Sequence, residues 1–89
     1  MRYLVHVWTG YAGDEDYFKV ESDDIDSIYP LAEEKSYEHF VESGAYSNVV
    51  EENSDLDETD LEILIDDSYH YSIKEFTGTE EEWDEYEDL

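Results

Sequence analysis

Carboxylates dominate the reactive groups of this sequence and are the first candidates for a functional role. The chain has 28 Asp and Glu residues against four Lys and Arg, a formal net charge of −24. Many of them fall in four short runs, which we take as the candidate partner-binding residues. The runs are Asp14, Glu15 and Asp16; Asp23, Asp24 and Asp26; Asp55, Asp57, Glu58 and Asp60; and Glu80, Glu81, Glu82, Asp84 and Glu85, interleaved with Trp83 and Tyr86. Clustered carboxylates can bind metal ions, transfer protons or bind a basic partner.

Calcium binding requires a spacing that this sequence lacks. An EF-hand loop has the pattern D-x-[DN]-x-[DN]-G with glutamate at position twelve. A register that begins at Asn53 has Asp55 and Asp57 at positions three and five, but Glu58 replaces the glycine and Leu64 the final glutamate. We therefore predict no metal site and no cofactor, with weak divalent-cation buffering by the clustered acids as a remaining alternative.

Catalysis also lacks a recognisable arrangement of residues. The sequence has no cysteine nucleophile, no G-x-S-x-G elbow and no phosphate-binding glycine loop. His6, His39 and His70 have no ligand-like spacing, and carboxylate pairs are too common for any one pair to indicate an acid–base couple. We predict that the protein is not an enzyme and has no catalytic residues.

The composition predicts one small folded domain over residues 1–89. Disordered acidic chains are poor in large apolar side chains, whereas 16% of these residues are aromatic. The lack of cysteine excludes disulfides and thiolate metal sites. The opening MRYLVHVW is short for a membrane span and has no signal-peptide cleavage pattern, so we expect a cytoplasmic protein. Its charge disfavours direct binding to nucleic acid or membranes.

The elements that must position these carboxylates follow from the apolar periodicity. Alternation predicts strands near 2–9, 16–21 and 69–76, the first two joined by a turn within residues 10–16. Apolar and small residues every four positions predict one long helix spanning roughly 25–43, which ends at Gly44. Pro30 fits a first turn, so a start near Ser27 or a kink there is the alternative. We therefore expect an α+β fold in which a small three-stranded antiparallel sheet packs against one long helix, with a short acidic C-terminal helix.

Three further segments have weaker patterns. Val49 and Val50 fit a helix or a short edge strand, and the sequence LEILI at 61–65 fits either as well. Thr59 with Glu62 and Thr79 with Glu82 each match a capping box at a helix start. The second of these predicts that the acidic end of the chain is helical and docks through its aromatic residues.

The size of the net charge indicates that the charge has a use. A net charge of magnitude about 2–8 suffices for solubility, and −24 exceeds it. A high-salt organism is an alternative explanation, but alanine occurs only three times and lysine outnumbers arginine three to one. B-DNA has one charge per about 1.7 Å of axis. The same charge therefore corresponds to about 12 base pairs, on a domain expected to be about 30–40 Å long.

In size, acidity, lack of cysteine and mixed αβ pattern, the chain resembles the small phage-encoded DNA-mimic inhibitors, including anti-restriction and anti-CRISPR proteins. The resemblance covers the whole chain but is one of composition, so no residue role is transferred. It implies an inhibitor that occupies the nucleic-acid-binding surface of a restriction or CRISPR effector in the host cytoplasm. A non-inhibitory acidic adaptor or chaperone is the alternative. In both cases the expected partner is a basic nucleic-acid-binding protein or complex.

Overall fold

A computed structural model of the chain describes residues 1–11 and 14–89. Two strands come first, a 3₁₀ turn and three helices follow, and the chain ends with a strand, a short helix and a strand. In chain order they are β1 (Arg2–Thr9), β2 (Glu15–Glu21), a 3₁₀ turn (Ile25–Ser27), α1 (Ile28–Glu42), α2 (Ala45–Glu52), α3 (Glu58–Asp66), β3 (Tyr69–Glu75), α4 (Glu80–Asp84) and β4 (Glu87–Asp88). The predicted turn between β1 and β2 includes residues 12 and 13, which lie outside the described residues.

The sheet has the strand order β3-β1-β2-β4 and is mixed. Strand β1 is antiparallel to both β2 and β3, whereas β4 runs parallel to β2. The predicted three-stranded antiparallel sheet is therefore wrong. Only two residues form β4, within an acidic run that has no strand alternation. Their pairing depends on contacts with Phe18 and Lys19, which lie far away in the sequence.

The prediction of one long helix over 25–43 is also wrong, whereas the alternative start near Ser27 is confirmed. A 3₁₀ turn capped by the Asp24 side chain precedes α1, which is an α-helix only from Ile28 to Glu42. Gly44 follows with φ of 86°, a left-handed conformation that favours glycine and ends the helix. Pro30 lies in the first turn of α1, where its missing N–H has no helical partner to lose.

Two additional helices occupy the segments whose sequence was ambiguous. Val49 and Val50 belong to α2, and LEILI belongs to α3. The predicted capping box at Thr59 is wrong, because the N-cap of α3 is Asp57, whose carboxylate accepts the backbone N–H of Asp60 at 2.8 Å. Asp57 and Asp60 have the same three-residue spacing as the Thr59 motif, so spacing by itself does not distinguish the two starts.

We call residues 25–68 the helical layer.

Two hydrophobic clusters form the core, and α1 contributes to both. The first lies between α1 and the sheet and contains Tyr3, Val5, Val7, Phe18, Ile28 and Ala32. The second contains Phe40, Ala45 and Val49, with Leu64, Ile65 and Tyr69 packed against it. Because α2 and α3 gather around the C-terminal end of α1, the Cα atoms extend over 49 × 25 × 15 Å. The long dimension exceeds the expected 30–40 Å. No helix within residues 1–11 and 14–89 is long and apolar enough to cross a membrane.

Candidate acidic binding surface

The carboxylates lie almost entirely on the surface. Of the 28 acidic residues, only Asp14 is not exposed. Within the described part of the chain, only Glu21, Glu38 and Glu80 have a carboxylate within 4.0 Å of a Lys or Arg side-chain nitrogen. Most of the negative charge therefore faces water without a cationic side chain beside it, and is accessible to a partner.

Asp14 differs from the other predicted acidic binding residues because its carboxylate is half-buried. Its carboxylate accepts the Thr9 hydroxyl at 2.7 Å. The buried Nε2 of His39 lies 2.9 Å from Asp14 Oδ1, although the direction of this contact is not that of a hydrogen bond. Burial acts to raise the pKa of Asp14, but the Thr9 hydrogen bond and the neighbouring His39 outweigh it and hold the pKa below its ordinary value. Asp14, which precedes β2, thus contacts both the end of β1 and α1.

The runs at 23–26 and 80–85 lie at the same end of the sheet. The N-terminal amine is 4.0 Å from Asp23, and the next residue, Arg2, donates two hydrogen bonds to Glu80 at 2.6 and 3.0 Å. Glu15 and Asp16 lie at the opposite end of β2, at a separation of about 20 Å for a strand of this length. The structure therefore combines two of the predicted runs and separates them from the first.

The run at 55–60 occupies the connection between α2 and α3 and the first turn of α3. Asp57 caps the helix, while Asp55, Glu58 and Asp60 are exposed. In the part of the chain that the structure describes, no hydrogen bond or ion pair joins this run to the other three. The four runs therefore lie on different elements, with those at 23–26 and 80–85 at the same end of the sheet.

The C-terminal helix α4 is anchored by its aromatic residue. The Thr79 hydroxyl accepts the N–H of Glu82 at 3.2 Å and caps the helix. The Trp83 side chain is 7% exposed, with its ring 5.1 Å from that of Phe76. Arg2 lies 4.8 Å above the same ring. Trp83 therefore fastens α4 to the sheet, and its predicted role in partner binding stays a prediction.

Tyr86 has a similar position at the end of α4. It is half-buried, and its ring centroid lies 6.1 Å from that of Phe76 and 6.4 Å from that of Tyr17. The carboxylates of Glu80, Glu81, Glu82, Asp84 and Glu85 are thereby held on an ordered element and remain exposed.

The side of the sheet that faces away from α1 has a different composition. We call it the outer sheet face; its residues, by strand alternation, are Arg2, Leu4, His6, Trp8, Glu15, Tyr17, Lys19, Glu21, His70, Ser72 and Lys74. His6 stacks on both Trp8 and Tyr17, with centroid distances of 4.6 and 4.4 Å. Three of the four Lys and Arg residues lie on this face, and two of them contact Trp83.

Sequence reasoning missed the exposed face of α1. Glu34, Glu38 and Glu42 recur every four residues beside Tyr37 and Val41, and all five are exposed. Their spacing could have been read as a second stripe, opposite the stripe of buried residues. It was overlooked because acids on a helix are expected to face solvent whether or not they bind anything.

This arrangement is suited to attracting cations collectively. Among the described residues, no group of three or more His, Asp or Glu side chains is placed to hold a metal ion, and the predicted absence of a cofactor stays a prediction. Comparison with known proteins finds no matching family model, no matching curated protein and no matching solved structure.

Proposed function

We propose that the protein is an inhibitory mimic of duplex DNA. It would occupy the nucleic-acid-binding surface of a basic defence protein, such as a restriction or CRISPR effector, in the cytoplasm of the cell. One observation carries the proposal: exposed carboxylates, most without a Lys or Arg beside them, are spread along an elongated body outside the outer sheet face. The net charge of −24 over 49 Å is about one charge per 2 Å, close to the one per about 1.7 Å of B-DNA.

The protein would inhibit by occupying the surface that binds DNA, without catalysing a reaction. Lys and Arg side chains that neutralise phosphates would meet carboxylates at a comparable linear density and release counterions as they do on DNA. Each exposed charge pair contributes only about 0.2–1 kcal/mol, so affinity arises from many contacts together. The repulsion between unpaired carboxylates in the free protein is relieved when a basic partner binds, which favours the complex further.

Competition with DNA tests the proposal. The protein is used to capture a partner from a host lysate, and the purified partner is titrated with labelled duplex DNA in the presence of increasing protein. We expect the apparent Kd for DNA to rise linearly with the concentration of free protein and to show no plateau, as exclusive competition requires. If DNA and the protein bind the partner simultaneously and independently, the mimic proposal fails and the acidic adaptor replaces it.

A cluster variant provides the control for charge. Replacing Asp55, Asp57 and Asp60 by Asn and Glu58 by Gln removes four charges and keeps a residue at position 57 that can cap α3. We expect this variant to compete many-fold less well, while Asp55→Asn by itself changes competition little. A single change as damaging as the whole cluster would contradict collective binding.

A further inference from the structure

Tyr37 is an exposed aromatic residue whose ring is nevertheless held in place. It lies on the solvent side of α1 and is 43% exposed. Its ring contacts Tyr69 edge-on at a centroid distance of 5.3 Å and lies 6.5 Å from Phe40, which belongs to the second core cluster. A side chain that is ordered before binding loses little entropy when a partner covers it, which is the property of an interface anchor.

Two grooves open beside Tyr37, of which the first is more polar in its lining and the second more apolar. Each has a volume of about 340 Å³ and combines apolar walls with carboxylates. The first is lined by Tyr37, Tyr46, Glu62, Ile65 and Asp66; the second is lined by Glu34, Tyr37, Glu38, Val41 and Glu42. Among the carboxylates of both grooves, only that of Glu38 lies within 4.0 Å of a described Lys or Arg nitrogen, at 3.6 Å from Lys35.

Tyr69, whose ring contacts that of Tyr37, lies beside the first groove and has carboxylates around its hydroxyl. The hydroxyl of Tyr69 lies 3.5 Å from Oδ1 of Asp66. Burial raises the pKa of Tyr69, and the carboxylates of Asp66 and Glu33 raise it further because they oppose a second negative charge. Asp66 also lines the first groove, so a positive group bound in that groove is favoured by the same carboxylate.

A long basic side chain matches these grooves better than any other common side chain. Its aliphatic stem needs apolar contact and its charged end needs a carboxylate. Arginine fits more closely than lysine, because the planar guanidinium stacks on an aromatic ring and donates paired hydrogen bonds to a carboxylate. We propose that the two grooves flanking Tyr37 each bind an arginine side chain of the basic protein partner. This inference rests on the proposed binding of a basic partner and names the surface that contacts it.

Peptides of equal charge test this inference without the partner. Binding of deca-arginine and deca-lysine is measured by calorimetry at about 0.1 M salt, where long-range charge effects are screened beyond about 10 Å. We expect deca-arginine to bind about fivefold more tightly, the ratio that corresponds to about 1 kcal/mol of stacking. Equal affinities for the two peptides would overturn the inference.

Two pairs of variants test whether the preference for arginine depends on the grooves beside Tyr37. Tyr37→Leu should remove the arginine preference, whereas Tyr29→Leu, at an exposed tyrosine on the same helix that lines neither groove, should keep it. Glu62→Gln with Asp66→Asn should weaken deca-arginine binding more than Asp55→Asn with Glu58→Gln, which removes the same charge. Equal effects within either pair would contradict the assignment. The paired carboxylate variants change exposed side chains, so they remain informative if Tyr37→Leu does not fold.

The two proposals fail in different experiments. If the protein competes with DNA but binds deca-arginine and deca-lysine equally, only the proposal of arginine-binding grooves is overturned. An arginine preference that depends on Tyr37, without competition against DNA, would overturn only the DNA-mimic function and leave an arginine-binding adaptor.

Discussion

The helical layer and the outer sheet face differ in their balance of acidic and basic residues. Residues 25–68 contain 14 Asp and Glu but only one basic residue, Lys35. The outer sheet face has three cations, Arg2, Lys19 and Lys74, against two carboxylates, Glu15 and Glu21. The few cations are therefore not distributed to neutralise the helical layer.

The outer sheet face uses its cations for internal contacts. Arg2 binds Glu80 and covers the Trp83 ring, and Lys19 lies 5.6 Å from the same ring. These contacts dock an acidic helix that would otherwise be repelled by the rest of the molecule. In the helical layer, by contrast, Asp57 caps α3 and Glu38 lies 3.6 Å from Lys35, while the other carboxylates have no Lys or Arg nitrogen within 4.0 Å among the described residues.

The largest expected effect concerns the docked helix. We expect Trp83→Ala to lower the free energy of unfolding by about 3 kcal/mol or more, as truncation of a buried aromatic usually does. Urea unfolding followed by far-UV circular dichroism measures this. Tyr29→Ala, on the exposed side of the helical layer, should cost far less. Similar losses for the two variants would show that α4 is not anchored through Trp83.

Screening by salt should affect the helical layer next most strongly. We expect the Tm of the protein to rise by several degrees between about 0.05 and 0.5 M sodium chloride, because the Debye length falls to below about 5 Å. The variant neutralised at positions 55, 57, 58 and 60 should start from a higher Tm and rise less. A Tm that is flat or falls with salt would show that repulsion is not a significant cost.

A smaller effect is expected from the cations of the sheet face. The hydrogen bonds of Arg2 to Glu80 raise the pKa of Arg2 and lower that of Glu80. We expect Arg2→Gln to lower the Tm by a few degrees more than Lys74→Gln, since both remove one positive charge but only Arg2 binds α4. In the background of Glu80→Gln, the difference between the two should shrink. If it does not, the Arg2–Glu80 contact adds nothing beyond net charge.

The smallest effect concerns Asp14 and should fade in acid. Because the folded pKa of Asp14 lies below its ordinary value, its ionised form stabilises the fold above the unfolded pKa of about 4. That contribution is lost as the pH falls through the lower folded pKa. We therefore expect Asp14→Asn to cost about 1 kcal/mol near neutral pH and less below about pH 3. A cost that does not change with pH, in unfolding measured across this range, would show that the charge of Asp14 is unimportant.

The buried face of α1 and the cap of α4 could be predicted from the sequence, because both depend on residues a few positions apart. The stripe of Ile28, Ala32, Ser36 and Phe40 is the buried face of α1, since helical periodicity depends only on neighbouring residues. Thr79 caps α4 for the same reason. Local pattern could not choose between Asp57 and Thr59 as the start of α3, because both offer a capping side chain three residues before an acid.

The net charge, the lack of cysteine and the buried stripe of α1 were determined by the sequence alone. Tertiary structure decided the fourth strand, the burial of Trp83, the separation of the acidic runs and the grooves beside Tyr37. Arg2 and Glu80 are 78 positions apart, and Tyr37 meets Glu62 and Asp66 only because α3 returns to α1. Such contacts depend on how elements pack, and no local periodicity records which distant side chains that packing brings together.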